Sequence, residues 1–277
     1  MKKVIIDANY LRATDSNGHE LRQLVADGFY LVLIDTLLFE LCSTDDKRQW
    51  LATQRKLYHV ANFIECWRHT GVLLGDEERT QCPIETPIDK DFTVQFKNLL
   101  ASKQTYIPKD LYSYVALISH QRECDSVESL LRACKVHENL FLPLKQKIVN
   151  QSNNNIDLIC QDLVNSEDLI RLLISYSNIF PPDRVYPTWI AWHHYKSYIA
   201  FLCEYLRLNG TTEFNKLPAS TQKKWINRKH DLDYVISLAF ADALATNETA
   251  GELSRYAKWM YGTSKQLISR LCESRMG

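Results

Sequence analysis

The sequence predicts an α/β fold: a parallel central sheet covered by helices and interrupted by a large all-helical insertion. Three features predict it. Short apolar runs alternate with helical periodicity over residues 3–74, a proline-punctuated helical stretch without strand signals follows, and the alternation returns over 231–261. Strand–helix–strand–helix order implies parallel strands joined by helical crossovers.

Lys-Val-Ile-Ile-Asp at 3–7 reads as a short buried strand ending in an acid. Leu21, Leu24 and Val25 mark a helix over 16–27 that Gly28 stops. Phe-Tyr-Leu-Val-Leu-Ile at 29–34 reads as a second buried strand. Asp35 or Thr36 caps the next helix, which runs through Leu41. A long helix is expected over 46–70, ending before Gly71, with a third strand at 72–74. Pro83, Pro87 and Pro108 punctuate 82–108, and 109–226 looks helical throughout. Its breaks fall near Pro143, Asn153-Asn154-Asn155, Pro181-Pro182, Pro187 and Gly210, with no repeat period. Residues 231–240 suit a helix, Ala243–Thr246 a strand and Glu248–Tyr261 a helix before Gly262. The expected organisation is an α/β core from 1–80 plus 226–277, with 81–225 as a helical insertion lobe.

Composition bounds the function classes. With 45% hydrophobic and 24% charged residues, the 277-residue chain is of the globular rather than the disordered type. Lys+Arg and Asp+Glu are both 33, so a nucleic-acid partner would have to be held by local positive charge. No apolar run is long enough to span a membrane, and Asp7 cuts the apolar run that directly follows Met1-Lys2-Lys3, which is too short for a signal segment. The eight cysteines include no Cys-x-x-Cys and read as reduced core thiols, so a cytoplasmic chain is expected. Gly-rich phosphate loops, Gly-x-Ser-x-Gly and His-Glu-x-x-His are all missing, which leaves ATPase, serine hydrolase and zincin readings unsupported.

Acids carry the chemistry. Asp7 ends the first strand with Asn9 just beyond it, and ligand sites of parallel sheets lie past the carboxyl ends of strands. The plainer reading has Asp7 capping a turn or the next helix. Glu40 is the lone charge in Thr-Leu-Leu-Phe-Glu-Leu-Cys at 36–42, a helix apolar nearly all round. A buried carboxylate needs a metal or a salt bridge to a core arginine. Asp231 shares a helical stripe with Val235 and Leu238, while Asp233 points roughly opposite; Asp231 also suits a helix N-cap. Asp242 leads into the last core strand and Thr246-Asn247-Glu248 follows it, where Glu248 also suits a helix N-terminus. Carboxylates converging on one edge repel unless cations neutralise them, and oxygen-only ligands favour Mg²⁺ or Mn²⁺.

These residues resemble the PIN-domain family. The resemblance rests on Asp7 in Val-Ile-Ile-Asp-Ala-Asn, Glu40 in Leu-Leu-Phe-Glu-Leu, Asp231 in His-Asp-Leu-Asp-Tyr-Val and Thr246-Asn247-Glu248. Phe240–Glu248, which includes Asp242, is the nearest match, and the resemblance covers about 1–75 and 227–262. It implies a metal-dependent endoribonuclease with Mg²⁺ or Mn²⁺ held by Asp7, Glu40, Asp231 and Glu248, with Asp233 and Asp242 in reserve. Toxin-like cleavage, phage defence and RNA processing are all compatible with it. Two departures stand out: Glu248 replaces the family's Asp, and the insertion is far larger than in small PIN toxins. The rival expectations are a non-catalytic RNA-binding scaffold and a structure-specific DNA nuclease, and a protein partner or a homo-oligomer stays open.

Lys223, Lys224, Trp225, Arg228 and Lys229 directly precede Asp231, where basic groups would hold RNA phosphates and the ring would stack on a base. The alternative is a solvated helix end. Asn9 and Asn247 are the remaining candidates for substrate contact. Trp189-Ile-Ala-Trp192-His193-His194-Tyr195 reads mainly as core, because adjacent histidines diverge by about 100° on a helix and cannot chelate together.

Overall fold

The computed structural model describes residues 1–42, 47–102, 146, 148, 156–209, 216–248 and 250–269. Its centre is a five-stranded, all-parallel sheet in the order β3-β2-β1-β4-β5. The strands are β1 (Lys2–Ile6), β2 (Phe29–Ile34), β3 (Ile64–Trp67), β4 (Ala243–Ala245) and β5 (Gln266–Ile268). Val4, Ile5, Leu31, Val32, Ala243 and Leu244 are wholly buried, as expected where helices cover both faces of a parallel sheet.

The first helix, α1 (Ala8–Ala13), begins directly after Asp7. Next come α2 (His19–Ala26), α3 (Asp35–Cys42) and α4 (Lys47–Tyr58). Gly18, at φ +70°, allows α2 to start against α4, since a Cβ there would lie 2.3 Å from the Lys56 carbonyl oxygen. Lys56 is itself buried, and its Nζ donates to the carbonyls of Leu11 at 2.9 Å and Arg12 at 3.0 Å. A cation on the last carbonyls of α1 suits the helix dipole and clamps the element that carries Asn9 and Arg12.

The third strand differs from the expectation. The helix expected over 46–70 ends at Tyr58, and β3 occupies 64–67 after a single 3₁₀ turn at Ala61–Phe63. Residues 72–74 lie instead in α5 (Thr70–Thr80). Gly71 therefore opens a helix rather than closing one: its amide donates to Nδ1 of His69, the N-cap, at 3.0 Å. Ile64, Cys66 and Trp67 bury themselves beside β2. Glu65 pairs with Lys3 at 3.0 Å, so the charge that breaks the apolar pattern is neutralised across the sheet.

Helix α6 (Lys90–Ala101), capped by Asp89 at 2.9 Å from the Phe92 amide, packs on β3. The later helices are α7 (Ile156–Val164), α8 (Glu167–Ser177) and α9 (Ile190–Asn209), with Pro181, Pro182 and Pro187 in the break before α9. The breaks expected near Pro108, Pro143, Asn153-Asn154-Asn155 and Gly210, and the core-thiol reading of Cys124, Cys134 and Cys272, lie outside the described residues. Glu77 of α5 is buried and accepts from the amides of Ile190 at 2.8 Å and Ala191 at 2.9 Å, capping α9 from another element. Trp189, Trp192 and His193 are buried, in keeping with a core role, and His193 stacks on Tyr261.

Helix α10 (Ala219–Ser237) is longer than the 231–240 expectation and places Asp231 in mid-helix, so Asp231 is not an N-cap. It packs against α9, α3, α5 and β2. Helix α11 (Glu252–Tyr261) starts four residues later than expected and packs on α10, α9 and α7. Among the described residues no helix is long and apolar enough to cross a membrane.

Candidate active site

The strand order puts a switch point between β1 and β4: the chain builds outward from β1 through β2 and β3, then resumes on the opposite side of β1. Open parallel sheets form their ligand crevice outside the carboxyl ends of the strands at such a point. Asp7 follows β1 there and Thr246-Asn247-Glu248 follows β4. The two ends are tied together, because the Asp7 amide donates to the Ala245 carbonyl at 3.0 Å.

Asp7 occupies the N-cap position of α1, yet its carboxylate makes no capping hydrogen bond. It is buried and accepts instead from Thr246 Oγ1 at 2.9 Å. Burial raises its pKa; the Thr246 hydroxyl, the nearby amides of Asn9 and Ala8 and the Arg12 guanidinium oppose that without cancelling it. The Thr246 oxygen also accepts from the Glu248 amide at 3.2 Å. Asn9 Nδ2 donates to Glu248 Oε1 at 2.6 Å, and Asn247 Nδ2 reaches the Asn9 carbonyl at 3.4 Å. Asn9 therefore orders Glu248, and Asn247 braces the backbone of Asn9. Glu248 folds back on Gly251, where a Cβ would lie 2.5 Å from Glu248 Oε2, so the longer acid is accommodated by a glycine.

Asp231 reaches this edge from α10. Its pKa is raised well above the ordinary carboxylate value, first by burial and then by the negative charges of Glu248, Asp7, Glu40 and Glu252. Glu248 is raised by burial, then by Asp7 and Glu252, with Asn9 opposing. Glu40 is less buried than its apolar helix implied. Its side chain is 29% exposed and its Oε2 lies 3.4 Å from Arg12 Nη2, so an arginine does partner it. Glu252 pairs with Arg228 at 2.5 Å and with Arg255 at 3.6 Å.

Two candidates stand apart. Asp233 accepts from Thr70 Oγ1 at 2.5 Å and Thr36 Oγ1 at 3.0 Å, with His69 Nε2 at 3.6 Å. It points away from Asp231, as the helical spacing requires, and its oxygens are taken up at the ends of β2 and β3. Asp242 precedes β4 and accepts from the Lys3 amide at 2.7 Å, so it lies at the amino edge of the sheet, opposite Asp7. The linear motif could not reveal this, because three strand residues separate Asp242 from the edge that Thr246 occupies.

The basic stretch divides in the same way. Lys223 and Lys224 are exposed and Lys229 is partly buried. Trp225 is a correction: it is 1% exposed, packed against Phe201 and Tyr205 at ring separations of 5.3 and 4.8 Å, and cannot stack on a base. Arg228 lies over that ring at 4.5 Å and bonds Glu252. Thr246, Arg12 and Glu252 join the site without having been singled out; Thr246 stood inside the quoted motif, whereas Arg12 and Glu252 arrive only through folding.

Among the described residues, no group of three or more His, Cys, Asp or Glu side chains forms a ready ion cage as arranged. Comparisons with protein-family models, curated proteins and solved structures found no match to this chain.

Proposed function

We propose that this chain is a PIN-like endoribonuclease that hydrolyses RNA phosphodiesters with Mg²⁺ or Mn²⁺. The observation that supports the reading is that Asp7 and Glu248 follow adjacent strands at the switch-point edge and that their charges, with that of Glu40, bear on Asp231. These acids and Glu252 outnumber Arg12, Arg228 and Arg255, the described arginines that pair with them. Such an excess repels phosphate and holds protons that free carboxylates would release. A divalent cation answers both problems, and an all-oxygen donor set is the kind Mg²⁺ and Mn²⁺ take.

Asp7, Asp231, Glu248 and Glu40 would hold the cation, which supplies charge neutralisation and polarisation of the scissile phosphate. The chain's own groups do the positioning. Thr246 holds one oxygen of Asp7, Asn9 holds one oxygen of Glu248, and Lys56 fixes the helix from which Asn9 and Arg12 project. Residues 1–80 plus 226–277 are assigned as the catalytic core, and the helices of 81–225 are assigned to substrate choice.

The Arg12–Glu40 pair favours a second reading, a non-catalytic RNA-binding scaffold in which an arginine takes the place of the cation. Incubating RNA and DNA of one sequence with the protein across a Mn²⁺ titration separates the readings. Mn²⁺-dependent cleavage of RNA alone is expected. Binding without cleavage of either polymer would favour the scaffold, and cleavage of DNA would identify a DNA nuclease.

A further inference from the structure

One buried polar group in the acid pocket lacks a use. Tyr234 lies one helical turn after Asp231 on α10 and is 1% exposed. Its hydroxyl has no hydrogen-bond partner among the described residues. The charges that act on it are, in order after burial, those of Glu40, Asp7 and Asp231, three of the four proposed ligands, while the Ala8 amide points at its oxygen. The oxygen therefore has a donor nearby, but its O–H has no acceptor, an arrangement that costs folding free energy unless something completes it. Tyr256 on α11 is a useful contrast. Its hydroxyl is also buried and unpartnered, but of the proposed ligands only Asp231 acts on it, and less than Glu204, on the side of the Arg207 and Arg255 ion pairs.

We infer that Tyr234 is a positioning residue for the divalent cation of the acid pocket, its hydroxyl donating to a carboxylate or water oxygen that the cation draws into place. The inference rests on the acid-pocket reading of Asp7, Asp231, Glu248 and Glu40. Groups that orient metal ligands through hydrogen bonds typically contribute about 10–100-fold to metal affinity. The same hydroxyl contributes nothing while its O–H is unpartnered, so the role is visible only when metal is bound.

The test compares the full-length parent with Tyr234→Phe and Tyr256→Phe, measuring Mn²⁺ affinity by paramagnetic resonance and thermal midpoints with and without Mn²⁺. For Tyr234→Phe, the metal-free midpoint should hold or rise while Mn²⁺ affinity falls roughly 10-fold or more. Tyr256→Phe should leave Mn²⁺ affinity at the parental value. A parent that binds Mn²⁺ together with a Tyr234→Phe variant that binds it equally well overturns the inference alone. A metal-free Tyr234→Phe that melts well below the parent shows that the hydroxyl already has an acceptor, and also overturns it. Equal losses of affinity in both variants mean general loosening, not positioning. A parent that binds no Mn²⁺ removes the acid-pocket reading and the inference with it.

Discussion

On the proposed reading, Asp7 concentrates the chemistry into one side chain. It is buried at a strand end, held by Thr246 and destabilised as an anion by its surroundings. Replacing it with Asn preserves shape while removing one charge from a group of like charges. Asp7→Asn should therefore reduce Mn²⁺-dependent RNA cleavage by roughly 100-fold or more, the scale seen when one preorganised electrostatic group is removed. Its metal-free melting temperature should hold or rise, because repulsion is relieved. Single-turnover cleavage and thermal melts check both halves: parental cleavage removes Asp7 from the mechanism, and a lower melting temperature makes it a structural acid. Trp225 shows how one residue can change meaning on folding. Within a basic run it looks like a stacking platform, but it is a core ring beneath Arg228. Trp225→Ala should destabilise the fold by about 3–5 kcal/mol in denaturant melts, as truncation of large core aromatics does. Loss of RNA binding with unchanged stability would restore the stacking role.

At the scale of the element, α10 organises the site. One helix sends Asp231 and Tyr234 to the acid pocket, Asp233 to the hydroxyls of Thr36 and Thr70, and Trp225 into the core. Its early turns leave Lys223 and Lys224 exposed upstream of the pocket, while Arg228 is committed to Glu252. The two lysines are thus the available phosphate-binding groups among the five basic-stretch candidates. Changing both to Ser should shallow the log–log salt dependence of single-stranded RNA binding by about 0.7 for every phosphate that is no longer neutralised. Mn²⁺ affinity should stay parental. Affinities measured over a salt series decide this: identical slopes for parent and variant would make the stretch a solvated helix end.

At the scale of the whole molecule, the acid pocket makes stability depend on pH. Asp7, Asp231 and Glu248 hold their protons more tightly in the folded chain than their ordinary values of 3.8, 3.8 and 4.5 imply. Stability from raised carboxyl groups is complete below those values and is lost as pH climbs through the higher folded ones. Glu204 runs the other way: burial pushes its carboxyl up, but Arg207 and Arg255 pull it below its ordinary value, so its contribution is lost as pH falls. Among the described acids Asp7, Glu77, Asp231 and Glu248 are raised and Asp15 and Glu204 lowered, and the acids together set the expected sign against the buried His193, whose imidazole is held at about 4 and whose contribution is lost as pH falls. Without divalent cations, the melting temperature should decline from mildly acidic toward neutral pH. Mg²⁺ or Mn²⁺ should recover it, increasingly so as pH rises, because the cation binds the ionised form. Melts over a pH series with and without Mn²⁺ test this, and a Mn²⁺ effect equal at every pH would count against the shared acid pocket.

Periodicity along the chain was enough to show the α/β class, β1, β2 and β4, and the strand-end positions of Asp7 and Glu248, because alternation between apolar runs and helical spacing is local. The location of β3 was not legible. Ile-Glu-Cys-Trp carries a charge that only Lys3, on a strand two positions away in the sheet, neutralises. For β5, the three-residue run Gln266–Ile268 becomes a strand through its pairing with β4. The opposed edges of Asp242 and Glu248, the Arg12 partner of Glu40 and the burial of Trp225 were likewise decided by tertiary structure. Sequence spacing specifies which way a side chain leaves its own element. What it meets there depends on elements folded from distant parts of the chain, and those neighbours set whether a carboxylate is paired, saturated or left in a pocket of like charge.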